Sequence, residues 1–207
     1  EALGRSPLGH FVFGCHAPDA GNVEILHLYG TPEQKARYLQ PLVDGTIRSC
    51  FSMTEVEMPG SNPVMMETTA AKDGGDYVIN GQKWYTTAAD GAAFAIVMAV
   101  TDPEAPPHRR ASMIIVPTDT PGFTGKDQKG KLSLRASDTS ELHLQDVHVP
   151  KDAILPKSGG MKSPLMCLTQ ARYGIAWGGV GAAMGCYDEA RRYAMNTNLI
   201  HKWLRDP

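Results

Sequence analysis

The segment YVINGQKWY, residues 77–85, is the strongest local structural signal in the sequence. Strand-forming residues flank Asn80 and Gly81, and both of these residues tolerate the positive φ angles that a type I′ turn requires. The segment therefore predicts a β-hairpin whose turn is Asn80-Gly81. Strand-like runs with frequent turns surround it, which favours a β-sandwich or barrel for the middle of the chain.

The period of the hydrophobic pattern separates three zones along the chain. Residues 1–46 are helical in pattern and are predicted to be the end of an N-terminal helical domain. Residues 47–155 have the period of two that is typical of strands and are predicted to form a central β domain. Residues 156–207 are helical again and are predicted to be the first helix of a truncated C-terminal helical domain. The predicted fold class is therefore α+β.

Several local motifs refine the first two zones. Thr31, Pro32 and Gln34 have the order of a helix N-cap, a first helical residue and the third residue of a capping box, and Gly45 is placed to end that helix. The runs FAIVMAV and SMIIVP predict two buried strands joined by a proline-rich loop. The run ELHLQDVHV alternates and then slips in phase at Asp146, which predicts a bulge there.

The last zone carries a stripe of glycines. These residues follow one another at the spacing of a single helix face: Gly174, Gly178, Gly181 and Gly185. Each glycine lowers helix propensity by about 1 kcal/mol relative to alanine, so a close approach must offset the cost. Packing against another segment is favoured over approach of a ligand, which stays as the alternative.

Composition excludes several functional classes for this chain of 207 residues. A net charge of −2 and scattered basic residues give no electrostatic basis for nucleic-acid binding. The four cysteines lie far apart, which argues against a disulfide framework or a zinc site. The longest uncharged helical run has 15 residues, fewer than a membrane span requires. The absence of a visible targeting segment predicts a cytoplasmic protein of bacterial type or, as the alternative, a mitochondrial matrix protein.

Four motifs in the same order and with the same gaps resemble the acyl-CoA dehydrogenase family. They are MTE, PGSN, NGQKWYTT and QARYGIAWG, and the resemblance covers nearly the whole chain. Residues 1–123 resemble the branch of the family members 10 and 11, whereas residues 126–195 are more similar to glutaryl-CoA dehydrogenase. The resemblance implies α,β-dehydrogenation of an acyl-CoA thioester with FAD as cofactor. It also implies a role in fatty acid β-oxidation, with electron-transfer flavoprotein as electron acceptor and a homo-oligomeric assembly.

The resemblance also implies which residues contact the flavin. Backbone and hydroxyl groups can meet the polar edge of the ring without bringing a charge into the site. A position without a side chain lets backbone N–H groups approach an anion such as the pyrophosphate. The cofactor-binding residues implied in this way are Phe51, Met53, Thr54, Gly60, Ser61, Tyr85, Thr86 and Thr87. Without the family, the same residues fit ordinary turns and core aromatic positions.

The resemblance places the acyl-CoA channel on the last helix. Leu168, Thr169 and Arg172 match positions that line it, together with Ser61 from the β domain, and a guanidinium suits a carboxylate or a phosphate. A structural ion pair of Arg172 is the alternative.

No residue of this chain matches the catalytic base. Some relatives carry the base directly before this arginine, where this chain has Ala171. Other relatives carry it in a later helical segment, which this chain ends before reaching. A family arginine that contacts FAD of a neighbouring subunit falls at Thr197, and TNLIHKWLRDP matches nothing in the family. Glu55 and Glu57 are expected to be solvated or structural.

Three hypotheses follow. The first is a flavin-binding portion of an acyl-CoA dehydrogenase that is inactive alone, because it lacks the base. The second is a non-catalytic module that binds acyl-CoA or flavin, or that serves assembly. The third is a recombined gene product that folds poorly, because an unpartnered glycine-rich helix leaves an apolar face exposed.

Overall fold

The computed structural model describes residues 1–197, and its contacts divide the chain into two compact units. One unit comprises residues 17–168 and contains a β-sheet with its helices. The other comprises residues 1–16 together with the chain from residue 169 onward. The predicted boundaries at residues 46/47 and 155/156 stay predictions about the domain layout. The TNLIHKWLRDP segment lies, apart from Thr197, outside the described residues.

The elements follow the predicted order of helices, strands and a final helix, which confirms the α+β fold class. The helices are α1 (Gly9–Val12), α2 (Asp19–Tyr29), α3 (Pro32–Gln34), α4 (Gln40–Val43) and α5 (Lys162–Asn196), with a π-helical segment at Lys35–Leu39 between α3 and α4. The strands are β1 (Ser49–Ser52), β2 (Thr69–Asp73), β3 (Asp76–Thr87), β4 (Phe94–Val100), β5 (Ala111–Pro117), β6 (Phe123–Asp127) and β7 (Thr139–Pro150). Short 3₁₀ turns lie at Leu3–Arg5, Pro63–Met65 and Lys151–Ala153.

The seven strands form one sheet in the order β1-β4-β2-β3-β7-β6, and β5 pairs with β4. The β1–β4 pair is parallel, whereas the long β3–β7 pair is antiparallel. β2 meets β4 only through Thr69 and Val100. The predicted central β domain is therefore a single sheet.

Strand β4 explains why FAIVMAV is apolar without alternation. Phe94, Ile96 and Met98 belong to a core cluster shared with α2 and α4, whereas Ala95 and Val97 belong to a second cluster with β3 and β7. Every residue of β4 is buried, because both faces of the strand are covered. Both predicted buried strands are thus confirmed.

The predicted capping box is present at the start of α3. The Thr31 hydroxyl accepts from the Gln34 backbone N–H at 3.2 Å, and the Gln34 side chain accepts from the Thr31 N–H at 3.0 Å. The Gln34 amide also donates to the carbonyls of Asp152 and Ile154, at 2.7 and 3.0 Å. The same side chain therefore caps a helix and fixes the segment that follows β7.

The prediction of a hairpin turn at Asn80-Gly81 is wrong. Both residues lie inside β3. The hairpin instead joins β2 to β3, and its turn is Gly74-Gly75. Asp73 pairs with Asp76 across this two-residue connection, and Gly74 adopts a φ of 58°. Two adjacent glycines also meet the backbone demand of a two-residue turn, and the pairing of β2 with β3 from Thr69↔Asn80 to Asp73↔Asp76 places the turn there.

The predicted bulge at Asp146 is confirmed, and Asn80 is its partner. The β3–β7 register shifts between Ile79 and Gly81, and Asp146 has a φ of 49°. The Asn80 side chain accepts from the Asp146 backbone N–H at 2.9 Å and donates to its carboxylate at 3.1 Å. The side chain that suggested a turn therefore satisfies the backbone of a bulge in the neighbouring strand.

The glycine stripe packs against the first residues of the chain, within the unit that contains both. A Cβ added at Gly181 would lie 2.9 Å from the Gly4 Cα, and one at Gly185 would lie 3.0 Å from the Arg5 carbonyl oxygen. A Cβ at Gly178 would lie 3.1 Å from the His10 ring. Close segment packing, the favoured alternative, therefore accounts for three of the four glycines.

Candidate functional site

The end of β1 and the end of β3 lie side by side in the sheet-containing unit. The Trp84 backbone N–H donates to the Thr54 carbonyl at 2.8 Å. The Thr86 hydroxyl donates to the Ser52 hydroxyl at 3.4 Å. The two sequence motifs MTE and KWYTT, which are separated by almost thirty residues, thus form one surface.

A bulge shapes the β3 side of this surface. Lys83 pairs with Leu142 and Thr86 with Ser140, so Trp84 and Tyr85 together face one residue of β7. Tyr85 has a φ of 56°, a conformation that is unfavourable for a bulky residue. Its side chain is 63% exposed and meets the Trp84 ring edge to face, with the ring centroids 5.3 Å apart. The bulge therefore presents an aromatic ring outward.

The loop after β1 completes the surface. A Cβ added at Gly60 would lie 3.2 Å from the Thr54 methyl group, so the loop packs closely on Thr54. Ser61 is exposed beside it. A small cavity here is lined by Met53, Thr54, Glu55, Met58, Pro59, Gly60, Asn62, Pro63 and Met66.

The structure brings the residues predicted to bind the flavin into one region of the sheet-containing unit. Phe51, Met53, Thr54 and Thr87 are half-buried, and Tyr85 is exposed. Thr86 is buried, with its hydroxyl directed to Ser52. No hydrogen bond within residues 1–197 uses the hydroxyls of Thr54, Ser61, Tyr85 or Thr87. The region therefore offers uncharged donors, and the roles of these residues stay predictions.

A buried ion pair supports this region and was missed by the sequence reasoning. The Lys83 ammonium donates to the Glu55 carboxylate at 2.9 Å and to the Met53 carbonyl at 3.2 Å. The Lys83 side chain is fully buried, and only 7% of the Glu55 side chain is exposed. Glu55 also accepts from the backbone N–H groups of Glu67 and Thr68, at 2.6 and 2.9 Å. Of the two alternatives expected for Glu55, solvated or structural, the structure shows the second.

The electrostatics of the pair follow from its burial. Burial raises the pKa of the Glu55 carboxyl, but Lys83 and the backbone donors together lower it by more, so its net pKa is below the ordinary value. Burial lowers the pKa of Lys83, and Glu55 opposes this shift. The two groups therefore stay charged by virtue of each other.

A signal for the pair was present in the sequence. Counting by twos from Tyr77 through Ile79 and Gly81 places Lys83 on the inward face of a continuous strand. A lysine directed inward requires a carboxylate partner. The assumed turn at Asn80-Gly81 broke this count and hid the signal.

The residues predicted to contact the acyl-CoA lie on α5, apart from Ser61. Leu168 is half-buried and belongs to the sheet-containing unit. Thr169 and Arg172 are exposed and belong to the other unit, as does the half-buried Ala171. Thr197 donates from its hydroxyl to the Tyr193 carbonyl at 2.8 Å and continues the last turn of the helix. The roles of Leu168, Thr169 and Arg172 in binding stay predictions.

Among residues 1–197, no helix is both long and apolar enough to cross a bilayer. No cluster of three or more histidine, cysteine, aspartate or glutamate residues in that range is arranged to hold a metal ion.

Comparison with known proteins identifies the sheet. Residues 50–147 match the family described as acyl-CoA dehydrogenase, middle domain. This match begins at Cys50 in β1 and ends at Val147 in β7, and thus includes both segments of the candidate site.

Relatives of both predicted kinds match the chain. Acyl-CoA dehydrogenase family member 10 of Mus musculus is 43% identical over 75% of this chain and 15% of its own length. Family member 11 of Gallus gallus is 37% identical over 97% of this chain and 27% of its own length. A crystal structure of glutaryl-CoA dehydrogenase from Mycobacterium smegmatis in complex with FADH2 is 41% identical and has a TM-score of 0.79. That alignment covers 85% of this chain and 44% of the other.

The chain thus spans less than half the length of each of these relatives. Within that span, the match to the middle domain, the two kinds of relative and the similarity in fold all agree. Residues 50–147 are therefore a middle domain of the acyl-CoA dehydrogenase family.

Proposed function

We propose that this chain supplies the flavin-binding surface of an FAD-dependent acyl-CoA dehydrogenase. The observation that carries the proposal is the joining of the β1 and β3 ends, where uncharged backbone and hydroxyl groups lie around an outward-facing tyrosine. The matching structure from Mycobacterium smegmatis was solved with FADH2. When bound, FAD accepts a hydride from the β-carbon of an acyl thioester whose α-proton a base removes.

The residues present fit a neutral tricyclic ring with a polar edge. In this proposal the hydroxyls of Thr54 and Thr87 donate to ring nitrogen or oxygen atoms without adding a charge. The Tyr85 ring is exposed and provides a flat surface for packing. Gly60 and Ser61 lie in a loop that packs on Thr54, where backbone N–H groups and a hydroxyl suit a pyrophosphate.

The chain's remaining contributions are to orientation of the substrate. We propose that Leu168, Thr169 and Arg172 line the acyl-CoA channel and that Arg172 binds a carboxylate or phosphate of the substrate. Ala171 cannot remove a proton, so the base is not at this position. The expected electron acceptor is electron-transfer flavoprotein, and the expected complete enzyme is a homo-oligomer.

The test is a titration of the purified chain of 207 residues with FAD, followed by tryptophan fluorescence and by flavin absorbance. We expect saturable binding together with no dye-coupled oxidation of short-, medium- or long-chain acyl-CoA. The Thr54→Val and Thr87→Val variants are expected to weaken binding, because each removes one donor. Thr120→Val, which removes a hydroxyl bonded to the Pro117 carbonyl far along the chain, serves as the matched control. Absence of flavin binding by the wild-type chain would refute the proposal.

The alternative is a module that binds acyl-CoA without catalysis, and Ala171 favours it. A colourless protein that binds CoA but no flavin would support this alternative. Appreciable turnover of any acyl-CoA by the chain alone would exclude both the alternative and the proposed absence of a base.

A further inference from the structure

Lys83 connects three segments that are distant in sequence. Its ammonium donates to the carbonyl of Met53 after β1 and to the carboxylate of Glu55. Through Glu55 it also reaches the backbone N–H groups of Glu67 and Thr68, which directly precede β2. Lys83 itself lies in β3, so one side chain links the ends of β1, β2 and β3.

These contacts act on the two segments predicted to face the flavin. Hydrogen bonds join the carbonyls of Met53 and Thr54 to consecutive residues of β3. The Lys83 ammonium donates to the Met53 carbonyl, and the Trp84 backbone N–H donates to the Thr54 carbonyl. Tyr85 follows immediately, in a left-handed conformation that persists only where the surroundings fix it. The ion pair therefore sits directly behind the point where the flavin-facing groups of β1 and β3 meet.

We infer that Lys83 and Glu55 are a positioning pair, which holds the Met53–Thr54 and Tyr85–Thr87 segments at the spacing that flavin binding requires. The inference rests on the proposed function. The Lys83 side chain is fully buried and only 7% of the Glu55 side chain is exposed, so neither charged group is expected to contact the cofactor. Their effect is exerted through the backbone carbonyls and N–H groups that they fix.

The experiment compares Lys83→Met with Arg48→Met in the full chain. Arg48 forms a further ion pair with a buried carboxylate, that of Asp19 at 3.2 Å, just before β1 begins. Both substitutions leave a buried carboxylate with one partner fewer, so both are expected to destabilise the fold. We expect Lys83→Met to weaken FAD binding by about tenfold or more, as loss of a supporting contact does at other sites, and Arg48→Met to leave it nearly unchanged.

A second variant separates positioning from stability. In Lys83→Met/Glu55→Gln no unpaired charge is buried, so stability is expected to recover in large part. The bond to the Met53 carbonyl is still missing, so FAD affinity is expected to stay low. Recovery of wild-type FAD affinity in this double variant would overturn the inference, as would equal losses of affinity in Lys83→Met and Arg48→Met.

Amide hydrogen exchange without flavin provides a readout that is independent of the proposed function. The N–H groups of Glu67, Thr68 and Trp84 are expected to exchange faster in the double variant than in Arg48→Met. If the wild-type chain binds no FAD, the proposed function fails, whereas this exchange pattern still decides whether the pair fixes the two segments. Unchanged exchange at all three amides would overturn the inference on its own.

Discussion

Lys83 and Glu55 show how one residue pair can set both the stability and the acid sensitivity of the sheet. The Glu55 carboxylate has its three hydrogen-bond donors, the backbone N–H groups of Glu67 and Thr68 and the Lys83 ammonium, only when β1, β2 and β3 are assembled. In the unfolded chain these partners are dispersed and water solvates the group instead. The difference between the two environments links protonation of Glu55 to folding.

We predict that the free energy of unfolding falls steeply as the pH drops below about 4.5, the ordinary pKa of the group. Burial raises the pKa of Glu55 in the folded chain, but Lys83 and the hydrogen bonds outweigh it, so the folded pKa lies below the unfolded one. The folded state therefore binds fewer protons in this window, and stability is lost as the pH falls through it. Urea unfolding between pH 3 and pH 7 measures the effect.

The matched control for this prediction is a neighbouring exposed carboxylate. Glu55→Gln is expected to lower the free energy of unfolding by about 3–5 kcal/mol at neutral pH, because Lys83 is left unpaired. It is also expected to weaken the loss of stability between pH 4.5 and pH 3, because the titrating group is gone. Glu57→Gln removes an exposed carboxylate two residues away and is expected to keep the wild-type profile. If the stability of Glu55→Gln fell as steeply with decreasing pH as that of the wild type, Glu55 would not be the group responsible for the loss of stability in acid.

Strand β3 is the element where sequence reasoning both failed and succeeded. The apolar runs of β4 and β5 and the phase slip in β7 were predictable, because burial on two faces and a bulge each leave a local pattern. The prediction of a turn at Asn80-Gly81 was wrong because the same two residues also suit a strand interior. Asn80 bonds the bulge at Asp146, and Gly81 allows Thr68 to approach the backbone closely. The sequence offers two possible turns, Gly74-Gly75 and Asn80-Gly81. The pairing of all five residues of β2 with β3 determines that the turn forms at Gly74-Gly75.

The site shows the same limit. The motifs around Thr54 and Thr87 were found by resemblance, since each is short and uncharged and carries no signal of its own. β1 and β3 are not neighbours in the strand order, so the contact between the two segments is a long-range tertiary contact that no local pattern predicts. That Lys83 is directed inward and requires a carboxylate partner could have been found from period-two alternation alone, if β3 had been taken as continuous.

We predict that Gly81→Ala destabilises the chain by about 1–3 kcal/mol, the range for forced overpacking. An added Cβ would lie 2.7 Å from the Thr68 Cβ, and Thr68 is held in place by its bond to Glu55. Gly21→Ala in α2, where a Cβ would meet nothing within 4 Å, is the control and is expected to be neutral or stabilising. Urea denaturation compares the two, and a neutral Gly81→Ala would mean that β2 can move away from β3.

On the scale of the whole molecule, each of the two compact units has its own means of stabilisation. The sheet-containing unit is organised around two apolar clusters on opposite faces of β4. The other unit relies on close backbone approach, because Gly178, Gly181 and Gly185 allow residues of the N-terminal segment to lie directly on α5. An ion pair of Arg5 with Asp188, at 2.7 Å, adds to this contact.

We predict that Gly181→Val separates residues 1–16 from α5, because the new side chain would overlap the Gly4 Cα and the Glu1 carbonyl. Gly179→Val makes the same change in helix propensity at a position where a Cβ meets nothing within 4 Å. The difference between the two variants therefore measures the packing of residues 1–16 on α5. Hydrogen exchange of the peptide covering residues 1–16 is expected to rise in Gly181→Val and to stay at the wild-type level in Gly179→Val. Equal exchange in the two variants would mean that the N-terminal segment is stabilised by contacts other than the glycine stripe, and that the stripe reflects helix geometry alone.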